Sequence, residues 1–426
     1  MPGDDPFRKS GSRRRPLVYD VTQLSVRLSA GALTGIDWVD RAYAHHLSSC
    51  GRIAVGSHYG LFAPHFFSTR YVGRLSHWHE TQFREGTAAD GDFAALRSWL
   101  VGEKSSARGA QTTAARPLGL GAVALSWLRE KRWASPPEGS IYLNVSQFGF
   151  EHRRFFSWLD RRADVLPVFF LHDLLPLDHP AFFREGYEAV FRARLAVMRR
   201  ARALIVASEE TSARLRREWG ADAPSILTRP LPSPLADAPR WSKDDALAAT
   251  PYFVVVSTIE PRKNHMTLID AWRRLSREMA QPPRLVCVGR AGWRCDDIMK
   301  AFDDENLRAS VRLAPNLSSA ALRHLVAHAR ALLSPSLAEG YGLPPIEAMT
   351  LGVPAICSDI PIFRETTQGC ATYLPASDAG IWAIAARNFS DAGGAAQTAA
   401  RALVTRFQPP GWKRYFEDVE AFLDEL

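Results

Sequence analysis

The second half of the chain repeats a short apolar run followed by a segment with helical spacing. The apolar runs are "YFVVVS", "RLVCVG", "VRLAP", "ALLSPS" and "PAICS", and segments such as "HMTLIDAWRRLSREMA" and "SAALRHLVAHAR" separate them. Apolar strands that alternate with helices are typical of a parallel, doubly wound sheet with helices on both faces. Ligands bind beyond the carboxyl ends of such strands, so the loops after these runs are expected to carry function.

A similar alternation, less regular, occupies the first half. Strand-like runs occur at "PLVYDV", "RIAVGS", "IYLNVS", "DVLPVFFLHD" and "ALIVAS", and Ile36, Val39, Ala42 and Tyr43 have the apolar spacing of a helix. A chain of 426 residues exceeds what one hydrophobic core usually organises. The sequence therefore predicts two α/β domains.

Composition sets the predicted domain limits. The first domain is placed at 1–235, a proline-rich linker at 236–250 and the second domain at 251–410, followed by an amphipathic helix at 411–426. Within the first domain, residues 1–16 are interpreted as a basic disordered tail. Residues 81–135 are rich in Gly, Ala and Ser, and we interpret them as an insertion or lid rather than core.

The segment "SPSLAEGYGLPPIEAMTLGVPAICSDIPIFRE" contains two carboxylates, Glu339 and Glu347, eight residues apart around a glycine-rich turn. The double proline after the turn can open a helix, whose free first-turn amides attract anions. Carboxylates beside such amides suit a ligand with phosphate in the middle and sugar hydroxyls at both ends. A nucleoside diphosphate sugar has that layout. Taken alone, however, Glu347 is better explained as a partner of the helix dipole and Glu339 as a solvated loop acid.

The whole arrangement resembles the E-x7-E signature of retaining GT-B glycosyltransferases, specifically glycosyltransferase family 4. The resemblance implies two Rossmann-like domains facing a central cleft, with the last helix crossing back to the first domain. It also implies that Glu339 contacts the donor sugar and Glu347 the ribose. The loop that approaches the diphosphate would comprise Gly340, Tyr341, Gly342 and Leu343.

Two cations, Arg262 and Lys263, follow the first strand of the second domain in "STIEPRKNH", where Glu260 is the only acidic neighbour along the sequence. Cations at this place can neutralise a departing diphosphate. Alone the pair would be an ordinary solvated turn, but the segment resembles the family's phosphate clamp. Many members carry a further arginine where this chain has Ser257 and Thr258, which makes Lys263 the stronger candidate.

A further candidate pair ends an apolar strand of the first domain in "PVFFLHDLLP". His172 there can donate to a sugar hydroxyl or act as acid or base near neutral pH. The segment resembles the family's HD-x-x-P motif, whose histidine approaches the reacting sugar. Asp173 is interpreted as an orienting or capping partner, and a simple loop hydrogen bond remains the alternative.

Two weaker candidates complete the site. Thr34 and Gly35 in "LTGIDWVD" precede a helix, where glycine permits close approach of a phosphate, and similar openings recur in the polysaccharide-assembling branch of the family. By the same resemblance Asn316 and Leu317 lie near the nucleobase. The alternative at the latter place is an ordinary loop with a serine N-cap.

Several classes of function are disfavoured by the sequence. The acidic doublets fall in linker-like or helical surface segments and no His/Cys cluster has zinc spacing, so we predict no required metal and no cofactor. Five scattered cysteines favour reduced structural thiols. No apolar run has membrane-spanning length and the first residues lack a signal-peptide core, which favours a cytoplasmic protein.

Positive charge is concentrated in residues 1–230, which hold 32 Lys and Arg against 23 Asp and Glu, whereas the whole chain carries +8. No nucleic-acid fold signature accompanies this excess. Two interpretations stay open: contact with an anionic acceptor or the anionic inner face of the cytoplasmic membrane, and a solvated arginine-rich surface.

The implied activity is that of a hexosyltransferase that keeps the anomeric configuration. The motif combination looks most like bacterial O-antigen and exopolysaccharide mannosyltransferases, with GDP-mannose as donor and a glycan or polyprenyl-diphosphate-linked acceptor. Donors such as dTDP-rhamnose, UDP-glucose and GDP-fucose remain open. So do two other functions, a nucleotide-sugar epimerase of the same architecture and a non-catalytic sugar-nucleotide-binding scaffold.

Overall fold

A computed structural model of the chain describes residues 14–27, 35–59, 64–84, 90–103, 132–133, 135–238, 240–315 and 317–426. Within these residues the chain forms two α/β domains, each built on one sheet. The first sheet contains the strands β1 (Leu17–Asp20), β2 (Ile53–Tyr59), β3 (Pro64–Phe67), β4 (Arg132–Trp133), β5 (Ile141–Asn144), β6 (Leu166–Leu171), β7 (Ala203–Val206) and β8 (Ser225–Thr228).

The first sheet has the order β4-β3-β2-β1-β5-β6-β7-β8. Strands β2, β1 and β5 to β8 are parallel, whereas β3 pairs antiparallel with both β2 and β4. The described helices of this half of the chain are α1 (Thr22–Arg27), α2 (Gly35–Ser49), α3 (Thr69–Arg84), α4 (Asp90–Val101), α5 (Ser157–Asp160), α6 (Leu175–Asp178), α7 (Tyr187–Met198) and α8 (Glu209–Trp219).

The second sheet is parallel throughout and has the order β11-β10-β9-β12-β13-β14. Its strands are β9 (Tyr252–Val256), β10 (Arg284–Val288), β11 (Val311–Ala314), β12 (Ala331–Ser334), β13 (Ala355–Ser358) and β14 (Thr372–Leu374). The accompanying helices are α9 (Asp245–Ala249), α10 (His265–Glu278), α11 (Asp296–Phe302), α12 (Ser319–His328), α13 (Leu343–Thr350), α14 (Pro361–Thr366), α15 (Ala379–Ser390), α16 (Ala395–Val404) and α17 (Trp412–Asp424).

The direction of winding in the second sheet reverses between β9 and β12, which are neighbours although β10 and β11 lie between them in sequence. A crevice forms at such a switch point, because the loops after the two strands leave toward opposite faces of the sheet. The loop after β9 carries Arg262 and Lys263, and the loop after β12 carries Glu339. The fold therefore brings these two predicted segments to one place.

The expectation that residues 81–135 lie outside the core is wrong for α4. Phe93, Leu96 and Leu100 on this helix are buried and join the hydrophobic core of the second domain, next to Tyr252 of β9. Arg97 of the same helix donates two hydrogen bonds to Asp244, at 2.5 and 3.2 Å. A segment from the first half of the chain thus completes the second domain, and its apolar residues point to that sheet.

The predicted linker contains ordered structure as well. Leu247 of α9 is fully buried in the core of the second domain, and the Asp244 carboxylate accepts a hydrogen bond from its backbone N–H at 3.0 Å. This contact caps α9 at its amino end. The linker ends earlier than its proline-rich composition indicates, because a side-chain cap lets a helix begin within a polar segment.

Helix α17 returns from the second domain and packs on α2 of the first. Tyr415 and Phe416 contact Tyr43 edge to face, and the hydroxyls of Tyr43 and Tyr415 are 2.8 Å apart. At the rim of this contact, Arg52 donates to Glu420 at 3.0 Å. The two domains therefore share one hydrophobic core, which also includes residues of α13 and α14. Among the described helices, none is long and apolar enough to cross a lipid bilayer.

Candidate active site

Glu339 is the centre of a compact ion-pair network in the crevice between the loops after β9 and β12. Its Oε1 is 2.5 Å from Lys263 Nζ and also accepts a hydrogen bond from Ser336 Oγ at 2.6 Å. Its Oε2 accepts from Arg262 Nη1 at 2.8 Å. A short 3-10 turn, Pro261–Lys263, delivers both cations, and the turn ends at Asn264, which has a left-handed φ of 56°.

The network is largely withdrawn from water, with only 7% of the Glu339 side chain exposed. Burial alone would raise the pKa of Glu339, but the charges of Lys263 and Arg262 outweigh it and lower the pKa to about 2. The carboxylate is therefore ionised at any physiological pH. Burial lowers the pKa of Lys263, and its contact with Glu339 opposes that shift.

Arg262 is held on three sides. Its guanidinium donates to Glu339, to the Ala338 carbonyl at 2.8 Å and to Glu260 Oε1 at 2.7 Å. Glu260 is thus an acidic partner of Arg262, as sequence proximity indicates, and Glu339, from a distant part of the sequence, is a second one that also pairs with Lys263. One carboxylate and two cations fixed in this way can hold a polar ligand without reorganising.

Glu347 lies on α13 with its side chain buried, and no hydrogen bond or ion pair to its carboxylate is found among the described residues. Burial raises its pKa to about 7. An unpaired buried carboxyl is costly, so the site is suited to a ligand that supplies donors, such as a vicinal diol. Residues that sit in a cleft with a strongly perturbed pKa are candidates for function.

The raised pKa of Glu347 predicts a pH dependence of stability. Between pH 4.5, its ordinary pKa, and about 7, the folded chain keeps a proton on Glu347 that the unfolded chain loses. Stability from this group is therefore fully present below pH 4.5 and is lost as the pH rises through 7. We expect the free energy of unfolding of wild type, relative to that of Glu347→Gln, to fall by about 3 kcal/mol across this window.

Denaturant unfolding of both proteins at pH 5 and pH 8 measures this difference. The comparison with Glu347→Gln is needed because burial lowers the pKa of His58 and His265 to about 4, and these groups act in the opposite direction. A difference between the two proteins that does not change with pH contradicts the prediction.

The glycine-rich loop makes close contacts on both sides of the cleft. Gly342 has a φ of +80° and starts α13, and a Cβ added there would lie 2.5 Å from Cε1 of Phe363. A Cβ added at Gly340 would lie 2.7 Å from Cβ of Asp173 in the first domain. Neither position has room for a side chain, so glycine is required at both for the loop to pack between Asp173 and Phe363.

Tyr341, between these glycines, turns away from the loop. Its side chain is buried, and its hydroxyl donates to the Leu231 carbonyl at 3.0 Å. The tyrosine side chain thus fastens the loop to the segment that leads into the second domain. Only the backbone of Tyr341 is left for the contact with a ligand that the resemblance implies.

His172 and Asp173 lie at the carboxyl end of β6, as their position in the sequence indicates. Nε2 of His172 is 2.7 Å from the Val145 carbonyl, and burial lowers the pKa of this histidine to about 4. The neutral ring therefore carries its proton on Nε2 and offers Nδ1 as an acceptor. This arrangement favours orienting a sugar hydroxyl over acid–base work near neutral pH.

The Asp173 Oδ1 accepts a hydrogen bond from the Leu175 backbone N–H at 3.0 Å, which is the simple loop contact given above as the alternative; the N-cap of α6 is Leu174, which makes no side-chain cap bond. Burial raises the pKa of Asp173, and the charge of Arg262 opposes the shift. The carboxyl group of Asp173, in the first domain, thus interacts electrostatically with the network around Glu339 in the second domain.

Of the four remaining predicted residues, the structure describes Gly35 and Leu317. Gly35 starts α2, and a Cβ added there would lie 3.9 Å from Cδ1 of Leu343, the first residue of α13. The amino ends of these two helices therefore approach each other across the cleft. Leu317 is half-buried before α12. Thr34 and Asn316 lie outside the described residues.

Sequence reasoning missed two polar groups of the site. Ser336 donates to Glu339, and its own carbonyl accepts a hydrogen bond from Ser358 Oγ at the end of β13. The position of Ser336, three residues before Glu339 in the same loop, could have indicated this contact. Glu365, at the end of α14, accepts two backbone hydrogen bonds from the first domain. No local pattern indicates such a partner.

One group of side chains with metal-binding atoms occurs in the described part of the chain, away from this site. Ligand atoms of His46, Cys50 and Glu420 lie within 4.8 Å of one another where α2 meets α17. Arg52 donates to the same Glu420 at 3.0 Å. The positive charge of Arg52 disfavours binding of a metal cation there. These side chains are therefore interpreted as part of the ion pairs at the rim of the contact between α2 and α17.

Residues 239–369 match the family model for glycosyl transferases group 1. The chain is 33% identical over 235 residues to the serotype-specific mannosyltransferase WbdA of Escherichia coli, a match that covers 50% of this chain and 28% of that protein. It is 33% identical over 109 residues to the GDP-mannose:cellobiosyl-diphosphopolyprenol alpha-mannosyltransferase of Xanthomonas oryzae, covering 24% and 29%. The chain thus spans little more than a quarter of the length of these relatives.

The fold is similar to that of solved glycosyltransferase structures. The crystal structure of HepE from Anabaena in complex with UDP-glucose superposes with a TM-score of 0.59 at 13% identity, over 96% of this chain and 100% of that one. This likeness shows the GT-B architecture, two parallel-sheet α/β domains with a cleft between them. Residues 239–369 thus resemble a glycosyl transferases group 1 domain, and the chain has the two-domain α/β fold of HepE.

Proposed function

We propose that the chain is a retaining hexosyltransferase of glycosyltransferase family 4, which moves a sugar from a nucleotide donor to a glycan or lipid-linked acceptor. The observation that carries this proposal is the convergence of Glu339, Lys263 and Arg262 in one crevice, together with the buried, unpaired carboxyl of Glu347 on the helix that follows the same loop. Such a crevice suits a donor with hydroxyls at both ends and a diphosphate between them.

In the proposed step the bond between the anomeric carbon and the diphosphate oxygen breaks, and the acceptor oxygen forms the new bond on the same face. The acceptor hydroxyl gives its proton to the departing diphosphate. Lys263 and the amides of the glycine loop stabilise the charge that develops there. Glu339 and His172 orient the sugar, and the roles of base and leaving group fall to the diphosphate itself. No metal is required in this proposal.

For the donor we propose GDP-mannose, which the names of the relatives from Escherichia coli and Xanthomonas oryzae support, since both are mannosyltransferases and one names this donor. The same names support an acceptor that is a growing glycan or a polyprenyl-diphosphate-linked saccharide. We also propose that the protein works at the inner face of the cytoplasmic membrane, where such an acceptor would be presented.

The test is a panel of nucleotide sugars, screened first by thermal shift and then by turnover with and without a polyprenyl-diphosphate saccharide. We expect GDP-mannose to raise the melting temperature and to be consumed in the presence of acceptor, with the α-linkage retained in the product. Formation of a new sugar nucleotide from donor alone would instead indicate an epimerase. A scaffold would bind the donor without turning it over, and the Glu339→Ala variant would then support polysaccharide production as well as wild type does.

A further inference from the structure

The short helix α14 contacts both domains at the edge of the cleft. Phe363 on this helix packs beneath the glycine loop, since a Cβ at Gly342 would lie 2.5 Å from its ring. Two residues later, the partly buried Glu365 reaches the first domain. Its Oε1 accepts a hydrogen bond from the Glu209 backbone N–H at 2.6 Å, and its Oε2 accepts from that of Glu210 at 3.0 Å.

These two amides belong to the first turn of α8, where backbone N–H groups have no partner within the helix. The next amide, that of Thr211, is capped by Ser208 Oγ at 3.2 Å. Glu365 therefore completes a cap that α8 does not supply for itself. A carboxylate at this end of a helix is favoured both by the hydrogen bonds and by the helix dipole.

The position of α8 gives this contact a consequence for the site. Helix α8 follows β7, and β7 lies beside β6 with Val206 paired to Leu171, the residue before His172. Glu365 thus ties the edge of the first sheet that carries His172 to the helix that supports Gly342. Glu365 thus connects the two walls of the cleft, in addition to the packing of Gly340 on Asp173.

We infer that Glu365 is a positioning residue, which holds the two domains in the arrangement that brings His172 and Asp173 to the donor-side loop. Its effect on catalysis rests on the proposed function, whereas its effect on domain arrangement does not. Without this side chain, the amides of Glu209 and Glu210 lose their partner while the Ser208 cap of Thr211 remains, and the cleft opens on the side of α14.

The donor amide offers a sharp test that leaves Glu365 in place. Glu209→Pro removes the N–H that donates to Oε1, and proline is tolerated in the first turn of a helix. Ser208 has the extended conformation, with φ −142° and ψ 153°, that the residue before a proline requires. Glu209→Gln is the matched control, because it loses the same charge and keeps the N–H.

The second variant, Glu365→Gln, keeps the side-chain shape but places an amide group against one of the two N–H donors. Its matched control is Arg364→Gln on the same helix, since Arg364 is exposed and pairs with Asp359 at 2.6 Å. We expect Glu365→Gln and Glu209→Pro each to lower kcat/KM about tenfold, mainly through kcat. Neither control should change kcat/KM.

Small-angle scattering and hydrogen exchange separate this inference from the proposed function. Both with and without GDP-mannose, Glu365→Gln and Glu209→Pro should show a larger radius of gyration than wild type. Glu365→Gln should also show faster exchange of the amides at 209–212. Wild-type scattering and exchange in both variants would overturn the inference. If no sugar nucleotide is turned over by wild type, the scattering result, measured without ligand, still decides the role of Glu365.

Discussion

Glu339→Gln is expected to lower kcat by a factor of about 100 to 1,000, the loss typical of removing one preorganised charged group from an active site. The reason is the pairing of Glu339 with both Lys263 and Arg262, at 2.5 and 2.8 Å. A neutral amide cannot balance two buried cations, so Lys263 would turn toward solvent and Arg262 would keep only Glu260 as a charged partner. We also expect a loss of stability of about 3 kcal/mol, because breaking a buried pair leaves charge uncompensated.

Steady-state kinetics and denaturant unfolding measure the two effects. Glu278→Gln is a suitable control, since Glu278 also bridges two arginines, Arg274 and Arg387, but does so on the surface of α10. Surface pairs contribute little, so neither kcat nor stability should change appreciably. A Glu339→Gln variant that keeps more than a tenth of the wild-type kcat would remove Glu339 from the proposed mechanism.

Gly342→Ala is expected to destabilise the protein by about 3 kcal/mol and to abolish most of the donor affinity. Alanine at a φ of +80° is strained, and its Cβ would lie 2.5 Å from the Phe363 ring. The left-handed conformation costs on the order of 1 kcal/mol, and forcing a methyl group into packed surroundings about 1 to 3 kcal/mol more. The glycine loop, which we propose to contact the diphosphate, would have to shift in response.

The chain offers a control with the same backbone strain. Gly352 has a φ of +79°, but nothing lies within 4 Å of a Cβ added there. Gly352→Ala should therefore lose only about 1 kcal/mol, with no change in donor affinity. Adding Phe363→Leu to Gly342→Ala should recover part of the lost stability. Equal unfolding free energies for the two alanine variants would show that contact with Phe363 does not restrict this loop.

The strands of the second domain could be predicted from sequence because each is a short apolar run bounded by loops. The same runs fixed the places of Glu339 and Lys263, since residues after parallel strands share one edge of the sheet. Sequence proximity suggested Glu260 as the acidic partner of Arg262. The structure adds Glu339 from 77 positions further on, a pairing that depends on the order of β9 and β12 in the sheet.

The parts that were missed depend on tertiary contacts. Helix α4 lies in a Gly-, Ala- and Ser-rich stretch, and the burial of Phe93, Leu96 and Leu100 depends on the second domain on which they pack. The antiparallel strand β3, "PHFF", begins with proline and is too short to stand out from a loop. In the sequence, Glu365 looks like any surface glutamate at the end of a helix. Its partners are backbone amides, which every non-proline residue carries, so no residue type marks them.

The return of α17 to the first domain links the folding of the two halves. Tyr415, Phe416, Val419 and Leu423 are buried in a core that they share with Tyr43 and other first-domain residues. If residues 251–426 were produced alone, this apolar stripe would face water and favour self-association. Heating the intact protein should accordingly give one calorimetric peak for both lobes, instead of two separately melting bodies.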